Sequence, residues 1–196
     1  MKKVERNELL GLAEYEQIRP QFLARIIRDK KERRVLVSDE ISVVFENHDT
    51  ALFQIQEMLR TERITKEAAI LHELETYNDL VPGDAELSAT MFVEIPDTAT
   101  RERRLVELAG LEGEIALDVL GTKIAARNET RGVLPDRTTA VHYIKFPLGE
   151  ALAARLAARA KEADGAIFFV LEHPKLSVRK EIPAVTVRSL AEDLKA

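Results

Sequence analysis

The stretch Val35-Leu36-Val37-Ser38-Asp39-Glu40-Ile41-Ser42-Val43-Val44-Phe45 decides the fold class of this chain. Two short runs rich in β-branched residues, 35–37 and 41–45, flank the polar triplet 38–40, and this pattern is typical of a β-hairpin with a tight turn. Two strands joined by so short a connection pair antiparallel. We therefore expect an antiparallel sheet to begin here.

Helical periodicity dominates the first half of the chain around this hairpin. Apolar residues three to four positions apart predict helices over residues 8–16, 20–33, 49–63 and 65–78. Asn7 is the candidate N-terminal cap of the first helix. Pro20 fits the first position of the second, where its missing N–H costs nothing. The run Val81-Pro82-Gly83-Asp84 ends this helical part.

The second half alternates between short strands and helices. Strands are predicted over 87–95, 114–120, 123–126, 139–146, 167–171 and 176–180, helices over 97–109, over 149–163 and after Pro183, and a loop over 128–137. Short turns between neighbouring strands favour antiparallel pairing. We predict an α+β fold, mainly an antiparallel sheet built from hairpins and covered by helices. It forms a single domain over 1–196, with a helical part at about 1–83 and a sheet-rich part at about 84–196.

Composition excludes several classes of function. The 196 residues are 45% hydrophobic, enough for a real core, and their formal net charge is −5 with both signs interspersed. A nucleic-acid partner is therefore not expected, because such proteins usually carry a basic stripe. The chain has no cysteine, which excludes disulfides, thiolate metal sites and thiol catalysis by its own residues.

The sequence also predicts a cytoplasmic location without a membrane partner. Glu8, Glu14 and Glu16 interrupt any apolar core of a signal peptide. No stretch approaches the roughly 18 apolar residues of a membrane-spanning helix.

Six phrases, in one order along nearly the whole chain, carry a family resemblance. They are Tyr15-Glu16-Gln17-Ile18-Arg19-Pro20, Arg33-Arg34-Val35, Gln54-Ile55-Gln56-Glu57-Met58-Leu59-Arg60, Thr61-Glu62-Arg63-Ile64, Tyr77-Asn78-Asp79-Leu80-Val81-Pro82 and Ala140-Val141-His142-Tyr143. The sequence thereby resembles the bacterial family known as domain of unknown function 3501. Genes of that family often lie beside rubrerythrin-like and heterodisulfide-reductase-like iron–sulfur genes. The resemblance thus implies a partner from an iron-dependent redox system, and it implies no established catalytic residues.

The candidate ligand-binding residues are Arg19, Glu57, Arg60, Arg63 and Asn78. On a helix, Glu57, Arg60 and Arg63 form a polar edge beside the apolar stripe, and two arginines next to a glutamate can grip a carboxylate or phosphate. The alternative is a salt-bridged helix surface. Arg19 precedes a proline that holds it extended, so it either faces a ligand or pairs with an acidic neighbour.

Metal and hydrolase motifs fail on their spacing. His72-Glu73 lacks the second histidine of the zinc-protease pattern, because Thr76 stands at that position. Neither a Glu-x-x-His pair nor a Gly-x-Ser-x-Gly elbow nor a glycine-rich phosphate loop is present. His48, His142 and His173 lie far apart in sequence. We therefore predict no metal and no cofactor, and the catalytic residues, if any, are unknown.

Two hypotheses of different classes follow. The first is a binding or accessory protein associated with a cytoplasmic iron-dependent redox system, either rubrerythrin-like or iron–sulfur. The second is a small-molecule or nucleotide-binding enzyme that uses the Arg/Glu cluster. A deep pocket at that cluster favours the second, and a flat apolar patch favours the first. The sequence is also compatible with a homodimer.

Overall fold

The computed structural model describes residues 1–128, 134–159 and 165–195. Its α-helices are α1 (Leu12–Arg33), α2 (His48–Thr61), α3 (Glu67–Asn78), α4 (Thr98–Glu107), α5 (Glu150–Ala158) and α6 (Ala184–Asp193). Its strands are β1 (Arg34–Leu36), β2 (Ile41–Glu46), β3 (Glu86–Val93), β4 (Ile115–Val119), β5 (Thr122–Ala125), β6 (Arg127–Asn128), β7 (Val141–Pro147), β8 (Ile167–His173) and β9 (Leu176–Glu181). Short 3-10 helices cover Arg6–Glu8 and Leu111–Glu114.

The strands form two antiparallel sheets. The first sheet has five strands in the order β1-β2-β3-β7-β6, and the second has four in the order β5-β4-β8-β9. The hairpin at 34–46 starts the first sheet as predicted, with Val35 opposite Val43 and the Val37 N–H bonded to the Ile41 carbonyl at 2.9 Å. The α+β prediction is confirmed, with the sheet split in two.

The main hydrophobic core contains one face of each sheet. From the first sheet it takes Phe45, Met91 and Phe146, and from the second it takes Leu117 and Phe169, all fully buried. The Phe146 and Phe169 rings meet edge to face with their centroids 6.2 Å apart. Residues of α4, α5 and α6 complete the same core. Alternate residues of each strand point into this core, so the other face of the first sheet is left for the helical part.

That second face of the first sheet is polar. Ser42, Glu46, Ser88 and Thr90 lie on it and are buried, and α1 contacts β2. Thr90 Oγ1 donates to a Glu46 carboxylate oxygen at 2.7 Å. Buried polar groups need such partners, because an unpaired one costs free energy.

Arg33 at the end of α1 joins three elements. It is 2% exposed and donates to the backbone carbonyls of Phe45 and Glu46, at 2.8 and 3.1 Å, and to Ser189 on α6 at 2.7 Å. It also pairs with Asp193. Burial raises the pKa of Asp193, and the Arg33 charge opposes that rise. Arg33 is therefore a buried charge that links α1 to β2 and α6.

The N-terminal segment differs from the prediction of a helix over 8–16. The 3-10 turn there ends at Glu8, and α1 begins only at Leu12. Two side-chain amides hold the segment instead. Asn78 bonds the Val4 N–H and carbonyl at 2.8 and 2.9 Å, and Gln56 bonds those of Leu10 at 2.7 and 3.2 Å. A helix over 8–16 would use the Leu10 carbonyl as an acceptor, and the bond from Gln56 occupies it, so partners distant in sequence decide the backbone here.

Pro20 lies inside α1 and does not start a helix as predicted. A proline in a helix interior removes one backbone hydrogen bond and normally bends or ends the helix. Here Tyr15 and Arg19, on the turn before the proline, both bond to Glu57 of α2. These contacts tie the N-terminal half of α1 to α2, so tertiary structure outweighs the local cost.

Smaller boundaries also differ. The helix predicted over 49–63 begins one residue earlier, because Asn47 caps α2 and its carboxamide oxygen accepts from the Thr50 N–H at 3.0 Å. The predicted loop over 128–137 and the end of the predicted helix over 149–163 lie partly outside the described residues. Within the described ranges, none of the helices is long and apolar enough to cross a membrane.

Candidate functional site

The predicted Arg/Glu cluster forms a network between α1 and α2. Arg19 donates two hydrogen bonds to the Glu57 carboxylate, at 2.7 and 2.9 Å, in a bidentate pair. The Tyr15 hydroxyl donates to the same carboxylate at 2.9 Å. Arg60 adds two longer bonds of 3.3 Å and lies 3.7 Å from Glu16. The structure thus brings together three of the five predicted site residues.

The electrostatics show a carboxylate that is firmly ionised. The hydrogen bond from Arg19, supported by Tyr15 and Arg60, lowers the pKa of Glu57 from its ordinary 4.5 to about 2. Burial raises the pKa of Tyr15, and the hydrogen bond to Glu57 raises it further. Glu57 is therefore a poor general base, since a base that works near neutral pH needs a pKa near 7. The network favours the reading of Arg19 as a residue paired with an acidic neighbour.

The other two predicted residues lie outside this network. Arg63 is exposed after the end of α2, with a left-handed backbone (φ 52°). Asn78 is buried and its amide is used by the Val4 backbone. Arg63 thus has no part in the Glu57 network, and Asn78 anchors the N-terminal segment.

An open groove, the α1–α2 groove, runs beside the network. Its volume is about 450 Å³, and it is lined by Glu8, Leu10, Tyr15, Ile18, Gln21, Phe22, Arg25, Leu52 and Gln56. Most of this lining is apolar, and Ile18 is 44% exposed. None of Arg60, Arg63 or Asn78 contributes to it, so the deep pocket that the enzyme hypothesis required is not formed by those residues.

A second and more enclosed cavity lies between α3 and the polar face of the first sheet, and we call it the α3–sheet pocket. Its volume is about 360 Å³, and it is lined by Thr76, Tyr77, Asp79, Leu80, Ser88, Arg127, Asn128, Tyr143, Ile144 and Lys145. Strand register explains how the sheet side is built. Arg127 of β6 is opposite Lys145 of β7, and Lys145 is opposite Ser88 of β3. Residues directly opposite in antiparallel strands project on the same face, so these three side chains form one row.

The two cations of this row share few carboxylate partners. Lys145 Nζ forms an ion pair with Glu86 at 3.6 Å, which is longer than a hydrogen bond. No carboxylate in the described part of the chain forms an ion pair with Arg127, which is exposed. Two cations side by side on one sheet face repel each other. An anion between them would relieve that repulsion, so the pocket has the chemistry of an anion site.

The histidine His142 is buried in a small polar group with Thr138 and Glu112. Thr138 Oγ1 donates to Glu112 and lies 3.2 Å from His142 Nε2, and His142 Nδ1 lies 4.0 Å from Glu112. Burial lowers the pKa of His142. The side chains of His142 and Glu112 are only 3% and 11% exposed and Thr138 is buried, so the group joins β7 to the 3-10 helix at 111–114 and leaves no access for a substrate.

His48 and His173, the other two histidines named in the sequence analysis, also have hydrogen-bond partners. His48 bonds Glu8 and Asp49, and His173 bonds the Ala109 carbonyl. Among residues 1–128, 134–159 and 165–195, no group of three or more His, Asp or Glu side chains is arranged to hold a metal.

Sequence reasoning missed Arg127, Lys145 and Tyr143 as site residues. Arg127 lies between the predicted strand over 123–126 and the predicted loop over 128–137, so its pairing with β7 in a two-residue strand was not predicted. Lys145 and Tyr143 belong to a strand that was predicted, and its alternation places them on one face together. The exposed pattern Val141, Tyr143, Lys145 was the available signal, but only pairing with β6 reveals the second cation.

Two comparisons with known proteins give matches that cover nearly the whole chain. A family model described as "Protein of unknown function (DUF3501)" matches residues 3–194. The chain is also similar to a solved crystal structure of a novel protein of unknown function from Burkholderia pseudomallei K96243. The two share 33% sequence identity and a TM-score of 0.89, over 98% of this chain and 100% of the other. A search among the curated proteins finds no match. The family match covers nearly every residue, and this chain belongs to the DUF3501 family.

Proposed function

We propose that this chain binds a small anionic molecule in the α3–sheet pocket. The observation that carries the proposal is the row in which Arg127 stands beside Lys145 and has no carboxylate partner within residues 1–128, 134–159 and 165–195. The planar guanidinium group of Arg127 can donate two hydrogen bonds to one carboxylate or phosphate, and the Lys145 ammonium group adds a second positive charge beside it. Ser88, next in the row, supplies a hydroxyl donor.

The pocket has the general character of a ligand site. Its volume of about 360 Å³ lies within the roughly 300–1,000 Å³ of small-molecule pockets. Its walls combine aromatic and aliphatic surface, from Tyr77, Tyr143 and Leu80, with the few polar groups already named. Such sites typically use apolar walls for affinity and a few polar groups for orientation. The role we assign is binding of a ligand.

Native mass spectrometry of the purified chain tests this function. We expect an anionic small molecule to remain bound to the wild-type protein and to be lost from the Arg127→Gln/Lys145→Gln double variant. The matched control is Lys180→Gln/Arg188→Gln, which removes two exposed cations elsewhere and should retain the ligand. Equal affinity of the double variant and the wild type for added carboxylates and phosphate would overturn the proposal.

A second candidate is the accessory role in an iron-dependent redox system that the family resemblance implies. The observation that favours a protein partner is the α1–α2 groove, whose mostly apolar wall includes the exposed Ile18. Exposed apolar surface of this kind is typical of protein-binding sites. Stoichiometric co-elution with a purified rubrerythrin-like or iron–sulfur protein, abolished by Ile18→Asp, is the expected result. Failure of both proteins to bind at micromolar concentration contradicts it.

The enzyme hypothesis built on the Arg/Glu cluster stays a prediction, and so do the single domain, the cytoplasmic location, the homodimer option and the exclusion of nucleic acid. The support for a ligand-holding role of Arg19, Glu57 and Arg60 is weaker than for the α3–sheet pocket, because their hydrogen bonds are already satisfied by one another.

A further inference from the structure

We infer that the α3–sheet pocket selects an anion attached to a single aromatic ring whose far end donates a hydrogen bond. This inference rests on the proposed function, since it names the class of ligand for the same pocket. The argument uses the position of the tyrosines relative to the cations, the size of the cavity and the charge on the α3 side.

The aromatic surface lies directly beside the cationic row. Tyr143 is two residues before Lys145 on β7, so the two side chains share a face and their backbones are about 7 Å apart along the strand. That distance is close to the spacing between a carboxylate and the far edge of a benzene ring attached to it. Tyr77 lines the same cavity from α3. An aromatic ring attached to the anion would therefore lie between Tyr77 and Tyr143, where aromatic contacts stabilise it.

The volume excludes a large cofactor. About 360 Å³ is near the lower end of small-molecule pockets. A dinucleotide needs more space than this, whereas an anion on a single ring fits. The cavity is also larger than a bare inorganic anion needs, and the tyrosine rings at its walls would then face water.

The α3 side of the pocket carries the opposite charge to the sheet side. Thr76 and Asp79 line it there, and Asp79 is exposed. A carboxylate accepts hydrogen bonds and repels an anion. The ligand is thereby oriented with its anionic group toward Arg127 and Lys145 and with a hydroxyl or amino group toward Asp79.

Isothermal titration with three carboxylates and inorganic phosphate tests this selectivity. The probes are 4-hydroxybenzoate, benzoate and cyclohexanecarboxylate. We expect 4-hydroxybenzoate to bind most tightly. Benzoate should bind about two- to tenfold more tightly than cyclohexanecarboxylate, which has a similar size but lacks a planar aromatic ring. Phosphate should bind most weakly. The Arg127→Gln/Lys145→Gln variant should weaken every probe by about tenfold or more, because charge-assisted hydrogen bonds are lost.

Two variants separate the ring from the charge. Tyr143→Leu should remove the preference for benzoate over cyclohexanecarboxylate while leaving cyclohexanecarboxylate affinity within about twofold, and Tyr143→Phe should retain the preference. Asp79→Asn should leave benzoate unchanged and weaken 4-hydroxybenzoate.

Failure of this inference and failure of the proposed function give different results. If all carboxylates bind equally, in a manner that depends on Arg127 and Lys145, the aromatic selectivity is wrong and the anion site stands. If phosphate binds more tightly than every carboxylate, the ligand class is wrong and the anion site again stands. If none of the probes binds, or binding ignores the double variant, both the function and the ligand class are wrong. Circular dichroism of each variant distinguishes lost binding from lost folding.

Discussion

The two sheets and the helical layer of this protein are stabilised in different ways. The space between the sheets is filled by a large continuous apolar cluster, with Phe45, Phe146 and Phe169 among its buried side chains. The apolar cluster among α2, α3 and the N-terminal segment is much smaller. There, Gln56 and Asn78 hydrogen-bond the backbone of the N-terminal segment. Apolar burial depends little on pH, whereas ion pairs and buried amides depend on charge state and geometry. The helical layer should therefore be the part that responds to pH and to single polar substitutions.

The largest effect is expected in the apolar core. Phe146→Ala should lower the free energy of unfolding by about 3–5 kcal/mol, because it removes a fully buried ring that packs edge to face on Phe169. Urea unfolding followed by circular dichroism measures the change. Val141→Ala, on the same strand but 39% exposed, is the control and should cost less than about 1 kcal/mol. Similar costs for both substitutions would contradict the assignment of this core.

The second effect is acid sensitivity of the helical layer. The folded-state pKa of Glu57 is about 2, below its ordinary 4.5, so its stabilisation is complete above pH 4.5 and is lost as the pH falls toward 2. We expect this to amount to on the order of 2 kcal/mol, and Glu57→Gln should remove that part of the pH dependence.

Stability measured by urea unfolding between pH 7 and pH 2.5 checks this prediction. Glu62→Gln, an exposed acid after the same helix, is the matched control and should keep the wild-type pH profile. If stability depends on pH in the same way in Glu57→Gln and in the wild type, ionisation of Glu57 adds nothing to the free energy of unfolding.

The third effect concerns the attachment of the N-terminal segment. Asn78→Ala should lower stability by about 1–3 kcal/mol, because the Val4 N–H and carbonyl lose their partner in a buried position. Hydrogen exchange should rise by a larger factor at residues 1–10 than in β3 and β7. Asn7→Ala, which changes an exposed amide, is the control. An equal rise in the segment and in the sheets would show that the segment opens only when the apolar core unfolds.

The smallest effect is expected for Arg60. Arg60→Ala should cost about 0.5–1 kcal/mol, because Arg19 keeps two shorter bonds to Glu57 and the carboxylate is not left unpaired. Arg63→Ala, outside the network, should change stability by less than about 0.5 kcal/mol. Thermal unfolding measures both. A loss above 2 kcal/mol for Arg60→Ala would mean that Arg60, and not Arg19, is the main partner of Glu57.

Local patterns in the sequence were sufficient for the fold class. The hairpin at 34–46, the turn at Gly121 and the cap at Asp97 all use residues close together in the chain, and each was predictable from side-chain period and turn chemistry. The failures were at 8–16 and at Pro20, where partners some 40 to 75 residues away decide the backbone. Local periodicity carries no information about those partners.

The sequence by itself determined the absence of cysteine chemistry, the net charge of −5, the alternation of strands and helices, and the contact between Glu57 and Arg60 one turn apart. Only the tertiary structure decided that Arg19 is the main partner of Glu57 and that Arg127 stands beside Lys145 in a pocket. The physical reason is that helix neighbours follow from a fixed spacing of three or four residues. Strand partners instead depend on register, which is fixed by the packing of the whole sheet.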